Sequence, residues 1–109
     1  MKSLQPFHLA IPVNNLEESR SFYRDVMKCE EGRSDIHWVD FDFFGHQLVI
    51  HQKDGFESNK ISNPVDGHDV PVPHFGVVLE WNDWEILAEK LKSTQWVSLR
   101  PSSHPKTSR

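Results

Sequence analysis

Seven histidines stand in the 109 residues, and two of them hold matching places. His8 opens the run "HLAIPV" and His74 opens "HFGVVL". The positions sharing the parity of His8 are the small Ala10 and Pro12; those sharing the parity of His74 are Gly76 and Val78. A neutral imidazole on such an open strand face suits a divalent metal, because its unprotonated nitrogen is a good donor to iron, zinc, nickel or manganese. The alternative for any one strand histidine is a hydrogen-bonded residue of a core or groove. His51, near the end of "HQLVIHQ", has the parity to face the same way as these two or to sit at a rim. Asp40 and Asp42 alternate with the apolar side chains of "WVDFDFF"; they could line a cup as acid or base, or form a solvated sheet face. His46, beside Gly45, reads as exposed, and His37 and His68 read as loop residues, with His68 close enough in sequence to His74 to reach a substrate mouth. Cys29 has Glu30 and Glu31 beside it, which disfavour a thiolate. No Gly-rich phosphate loop, hydrolase triad or CxxC pair is present.

These side chains need strands and helices to place them. From Phe7 to Val13, large apolar residues alternate with His8, Ala10 and Pro12, which predicts a strand, and Pro12 puts it at an edge or a strand end. Asn15 followed by Glu18 is a capping-box start, and Leu16, Phe22, Tyr23 and Val26 recur at helical spacing, with Gly32 as the break. A short strand over 30–33 is weakly indicated. "WVDFDFF" and "HQLVIHQ" flank Gly45 as a hairpin. Residues 53–71 are polar and turn-rich, a connection long enough to be functional or a linker. The run 74–79 predicts another strand, and Asn82 with Glu85 repeats the capping pattern before Trp84, Leu87, Ala88 and Leu91.

The two parts superpose as sequence. His8, Leu9, Ala10, Ile11 and Val13 match His74, Phe75, Gly76, Val77 and Leu79, and each strand leads into an Asn-capped helix. This is an internal duplication of a strand–helix unit. In the first copy a hairpin follows and ends at His51; the corresponding place in the second copy falls near position 117, past residue 109. Residues 96–109 carry Arg100, Lys106 and Arg109, His104 and no acid, and are rich in Ser and Pro, so they read as a basic irregular tail.

The whole chain has a formal charge of −4, with twelve basic and sixteen acidic residues. Its length suits one domain, and its acidity gives no electrostatic reason to bind nucleic acid. No apolar run approaches a membrane span, and the N-terminal stretch lacks a signal-peptide core, so no membrane partner is expected. A single cysteine points to a reducing, cytoplasmic setting.

The segments "PFHLAIPVNNLEESRSFYRDVMKCEEGR", "WVDFDFFGHQLVIHQ" and "DGHDVPVPHFGVVLEWNDW" resemble the vicinal oxygen chelate superfamily of glyoxalases, bleomycin-resistance proteins and extradiol dioxygenases, in a dioxygenase-like bacterial branch. The resemblance covers residues 4 to about 95. It implies an α+β fold of βαβββ modules, here with the first module complete (4–52), a loop (53–71) and a second module (72–95) cut short after its helix, together a domain over 1–95 ahead of the 96–109 tail. It implies a cup around a divalent metal, Fe(II) first, with Zn, Ni or Mn as other choices. His8 and His74 carry over as metal ligands, each from the first strand of a module, and His51 stands on the strand that glyoxalases also use. The carboxylate that completes the dioxygenase set comes from a strand with no counterpart here. The implied function is a metal-dependent reaction on a small substrate with vicinal oxygens, in a chain expected to be a homo-oligomer. The second reading is a small-molecule-binding protein of the resistance type without catalysis. A third is a form inactive through loss of the last strands.

Overall fold

Strand pairing in the first half follows from the alternation just described. The structure, a computed structural model, describes residues 4–55 and 62–94. The chain divides into two units, Met1–Phe56 and Glu57–Arg109.

In the first unit β1 (His8–Val13) leads into α1 (Leu16–Ser21), which continues as a π-helical turn over Phe22–Val26. Then come β2 (Glu30–Ser34), β3 (Trp38–Phe43) and β4 (His46–Gln52). The sheet order is β1-β4-β3-β2, with β1 parallel to β4 and the other pairs antiparallel. This is one βαβββ module. Pro12 lies on an edge strand, where its missing N–H costs no ladder bond.

Asn15 caps α1 as expected, its Oδ1 accepting from the Glu18 N–H at 3.0 Å. The helix ends not at Gly32 but at Lys28, whose φ of 59° turns the chain into β2. The π turn is closed by Met27 N–H to Phe22 C=O (2.9 Å) and Cys29 N–H to Tyr23 C=O (2.8 Å). Gln52 joins the helix start to β4: its Oε1 accepts from Leu16 N–H at 2.7 Å and its Nε2 donates to the Asn14 carbonyl. The β3–β4 loop is Phe44–Gly45, both at positive φ (52° and 87°), which is the two-residue turn whose twist matches a hairpin.

One sheet face and the helix form the core. Val39, Phe41, Leu48 and Ile50 are fully buried, and Leu16 and Cys29 close over them with Ile11, Val13, Tyr23, Met27 and Phe43 packed around. Each such side chain contributes about 1.5–3 kcal/mol of burial, which is what drives the alternation. The other face carries His8, Ala10 and Pro12 on β1, Gln47, Val49 and His51 on β4, and Trp38, Asp40 and Asp42 on β3.

The second unit departs further from expectation. Within the turn-rich 53–71 connection, β5 (Ser62–Val65) and β6 (His68–Pro71) form a hairpin turned by Asp66 and Gly67, both at positive φ. Residues 74–80 carry no strand ladder, although they alternate like β1. Alternation marks which residues can share a face; it does not by itself supply the adjacent strand that a ladder needs. The helix α2 (Trp81–Lys92) is capped by Glu80 without a side-chain bond, not by Asn82, and Trp84 N–H donates to the Glu80 carbonyl at 2.9 Å. Ala88 is buried, and Trp84, Leu87 and Leu91 are half-buried, so the apolar face is the expected one. The basic irregular tail expected over 96–109 lies outside the described residues.

Candidate metal centre

His8 is the first residue of β1, and its side chain stands on the face opposite the core. The β1–β4 register puts it directly across from Gln47, and the β4–β3 register puts Asp40 one residue pair further along the same face. The three side chains are joined. Gln47 Nε2 donates to Asp40 Oδ2 at 3.0 Å, and His8 Nδ1 lies 2.8 Å from Gln47 Oε1. The chemistry orders this chain. An ionised carboxylate only accepts, so the amide must turn its NH2 to Asp40; its oxygen then faces His8, and the imidazole must donate from Nδ1. In the neutral ring this leaves Nε2 of His8 without a hydrogen, with its lone pair available.

His74, in the second unit, makes the same commitment by a different route. Its Nδ1 lies 2.7 Å from the Pro71 carbonyl, which can only accept, so Nδ1 carries a hydrogen and, in the neutral ring, Nε2 keeps its lone pair. Histidines that bind metals characteristically donate their other N–H to a carbonyl, carboxylate or water. His46 is the contrast. Its Nδ1 accepts from Phe7 N–H at 3.1 Å, its ring stacks on Phe7 at 4.5 Å between centroids, and it is half-buried rather than exposed.

His51 is exposed and pairs with Pro12 and Trp38. It shares a face with His8, but lies four residues along β4 from Gln47, roughly 13 Å at the rise of a strand. A single ion needs each nitrogen within about 2 Å, so this register does not bring His8 and His51 together. The β4 residues flanking His8 on its face are Gln47 and Val49, neither a carboxylate. Among the described residues no group of three or more His, Cys, Asp or Glu is placed to hold a metal. Each unit therefore offers one ring nitrogen with the donor chemistry of a metal ligand, His8 Nε2 in the first and His74 Nε2 in the second.

The remaining candidates have other occupations. Asp42 Oδ1 accepts from Gly45 N–H at 2.8 Å and so secures the β3–β4 turn. Cys29 is buried in the core. His37 and His68 are exposed, His68 as the first residue of β6 and not in a loop. His104 lies outside the described residues. A cleft of about 370 Å³ opens beside Asp40 and Gln47, with Glu30, Gly32, Asp42 and His46 among its walls. Its acidic rim favours a neutral or cationic guest over an anion.

The residues that reading the sequence missed are Gln47 and the linking role of Asp40. Their parity with His8 was visible, but parity fixes a face, not which residues lie opposite across two strand pairs.

No protein-family model matches the chain, and no curated protein sequence does. Solved structures do. A glyoxalase/bleomycin resistance protein/dioxygenase from Alicyclobacillus acidocaldarius is 30% identical, with 84% of this chain aligned at a TM-score of 0.66; this chain spans 65% of that protein's length. The fosfomycin resistance protein FosX from Listeria monocytogenes, solved as its E126Q mutant with Mn(II) and 1S,2S-dihydroxypropylphosphonic acid, is 16% identical over 93% of this chain and 72% of its own, at a TM-score of 0.65. At that identity FosX speaks for the fold alone. Among the described residues no helix is long and apolar enough to cross a membrane. With a complete βαβββ module and these solved structures beside it, the chain has the fold of the vicinal oxygen chelate superfamily.

Proposed function

We propose that the chain takes part in a metal-dependent reaction of the glyoxalase or extradiol-dioxygenase kind on a small substrate bearing vicinal oxygens. The observation that carries this is the shared state of His8 and His74. Each spends its Nδ1–H on a protein acceptor and keeps Nε2 free, as a ligand histidine does. In this reading both are metal ligands. His51 is left out of the set because its register separates it from His8. The metal, when bound, supplies Lewis-acid polarisation of the substrate oxygens. The chain's own part is to hold two neutral nitrogens in a fixed tautomer. Fe(II) is the ion proposed for oxygen chemistry, with Mn(II), Zn(II) and Ni(II) as alternatives; Mn(II) is also the ion in the FosX structure. A homo-oligomer in the cytoplasm completes the proposal.

The test is turnover. The chain loaded with Fe(II) or Mn(II) is assayed for oxygen uptake with catechols and for isomerisation of hemithioacetals. Metal-dependent turnover that disappears in His74→Ala supports the reading. Small-molecule binding that persists in chelator, without turnover, would replace it with the binding-protein reading.

A further inference from the structure

We infer that Asp40 and Gln47 are positioning residues that select which nitrogen of His8 is free. The inference rests on the proposed function only for its consequence at a metal; the tautomer itself follows from the hydrogen bonds.

The chain of bonds runs across three neighbouring strands, from Asp40 on β3 through Gln47 on β4 to His8 on β1. Every link has one direction. Asp40 can only accept, so it orients the Gln47 amide, and the oriented amide presents an acceptor to Nδ1. A glutamine without Asp40 could present either its oxygen or its NH2 to His8, and the imidazole could then take either tautomer. The selecting group is thus the carboxylate, which never touches the histidine. Gln47 is exposed and Asp40 half-buried, both off the apolar core, so changing them removes the orientation without opening a core cavity. His46, the residue before Gln47, is held in the opposite tautomer by Phe7 N–H. Adjacent positions of one strand therefore carry opposite instructions, each set by the local partner.

The experiment is a long-range 1H–15N correlation spectrum of the histidine rings in the metal-free chain, at a pH well above the ordinary histidine range. In the wild-type chain His8 is expected as the Nδ1–H form, His74 likewise, and His46 as the Nε2–H form. Gln47→Leu and Asp40→Asn should each convert His8 to a tautomer mixture and leave His46 and His74 unchanged. The double variant Asp40→Asn with Gln47→Glu should restore the Nδ1–H form, because an amide at 40 can donate to a carboxylate at 47, which then accepts from His8. A role in folding alone would predict no such rescue. Mn(II) titration supplies the second readout, with a fall of about 10–100-fold in affinity for the two single variants. His8 found as Nδ1–H in both single variants would overturn the inference. If no variant and not the wild-type chain binds Mn(II), the metal reading fails while the ring spectra still decide the tautomer.

Discussion

Tyr23 is the only tyrosine in the chain, and its phenol lies in the core against Phe41 and Phe43, with ring centroids 5.6 and 6.2 Å away. Burial, and then the nearby charge of Cys29, pushes its pKa up to about 12. A buried phenol resists ionisation, so the folded chain holds this proton where the unfolded chain has lost it. The stability linked to Tyr23 is complete below about pH 10 and is lost as pH rises from there through about 12. Ultraviolet titration should therefore show no phenolate near pH 10, and its appearance should coincide with alkaline loss of the far-ultraviolet circular dichroism. A reversible phenolate transition near pH 10 in a folded chain would contradict the placement of Tyr23. At this scale the sequence was informative where one residue carries its own signal. Tyr23 at helical spacing with Leu16 and Val26 marked the core, and Asn15 marked a helix start. Asp40 gave no such signal, because its role depends on a glutamine on the neighbouring strand and a histidine on the strand after that.

The helix and β2 are joined outside the core at Glu31, which pairs closely with Arg20 and, at 3.6 Å, with Arg24. Arg20 Nε and Nη2 each donate to Glu31 at 2.8 Å, a two-bond fork with both side chains about three-quarters buried. The hydrogen bond from Arg20 holds the Glu31 carboxyl below its usual range. The stability from this pair is present above the ordinary glutamate pKa and is lost as pH falls through the depressed folded value, since the unfolded chain takes up the proton first. Glu31→Gln should lower stability at neutral pH by about 1 kcal/mol, discounted for solvent, and should flatten the acid side of the stability profile. Urea unfolding followed across pH is the measurement; equal slopes in both chains would show that the pair carries nothing. Elements set by a local pattern, such as β1, α1 and the β3–β4 hairpin, were legible in the sequence. The strand expected over 74–79 was not a safe inference, since alternation alone does not supply the adjacent strand that a ladder needs. The β5–β6 hairpin escaped notice because its strands are only four residues long, each contains a proline, and they are mostly exposed, so no continuous apolar face announced them.

For the molecule as a whole, the first unit is a complete module and the chain spans 65% of the length of the Alicyclobacillus relative. Among the described residues β1 is an edge strand with a second strand on one side only, and Leu4 and Phe7 are exposed just before it. Such an edge recruits a second strand unless it is blocked. Light scattering should accordingly give a mass above the 12.7 kDa of one chain, and a monodisperse monomer at high concentration would refute the proposed homo-oligomer. The proposed activity rests on the two histidines that first suggested it, and both the sequence repeat and the hydrogen bonds single them out. The most direct measurement is calorimetric titration of Mn(II) into the wild-type chain and into His8→Ala, His74→Ala and His51→Ala. Binding to the wild-type chain, loss of most affinity in either of the first two variants, and little change in the third is the result predicted. No binding to the wild-type chain, or unchanged affinity in His8→Ala, would contradict the metal-ligand assignment.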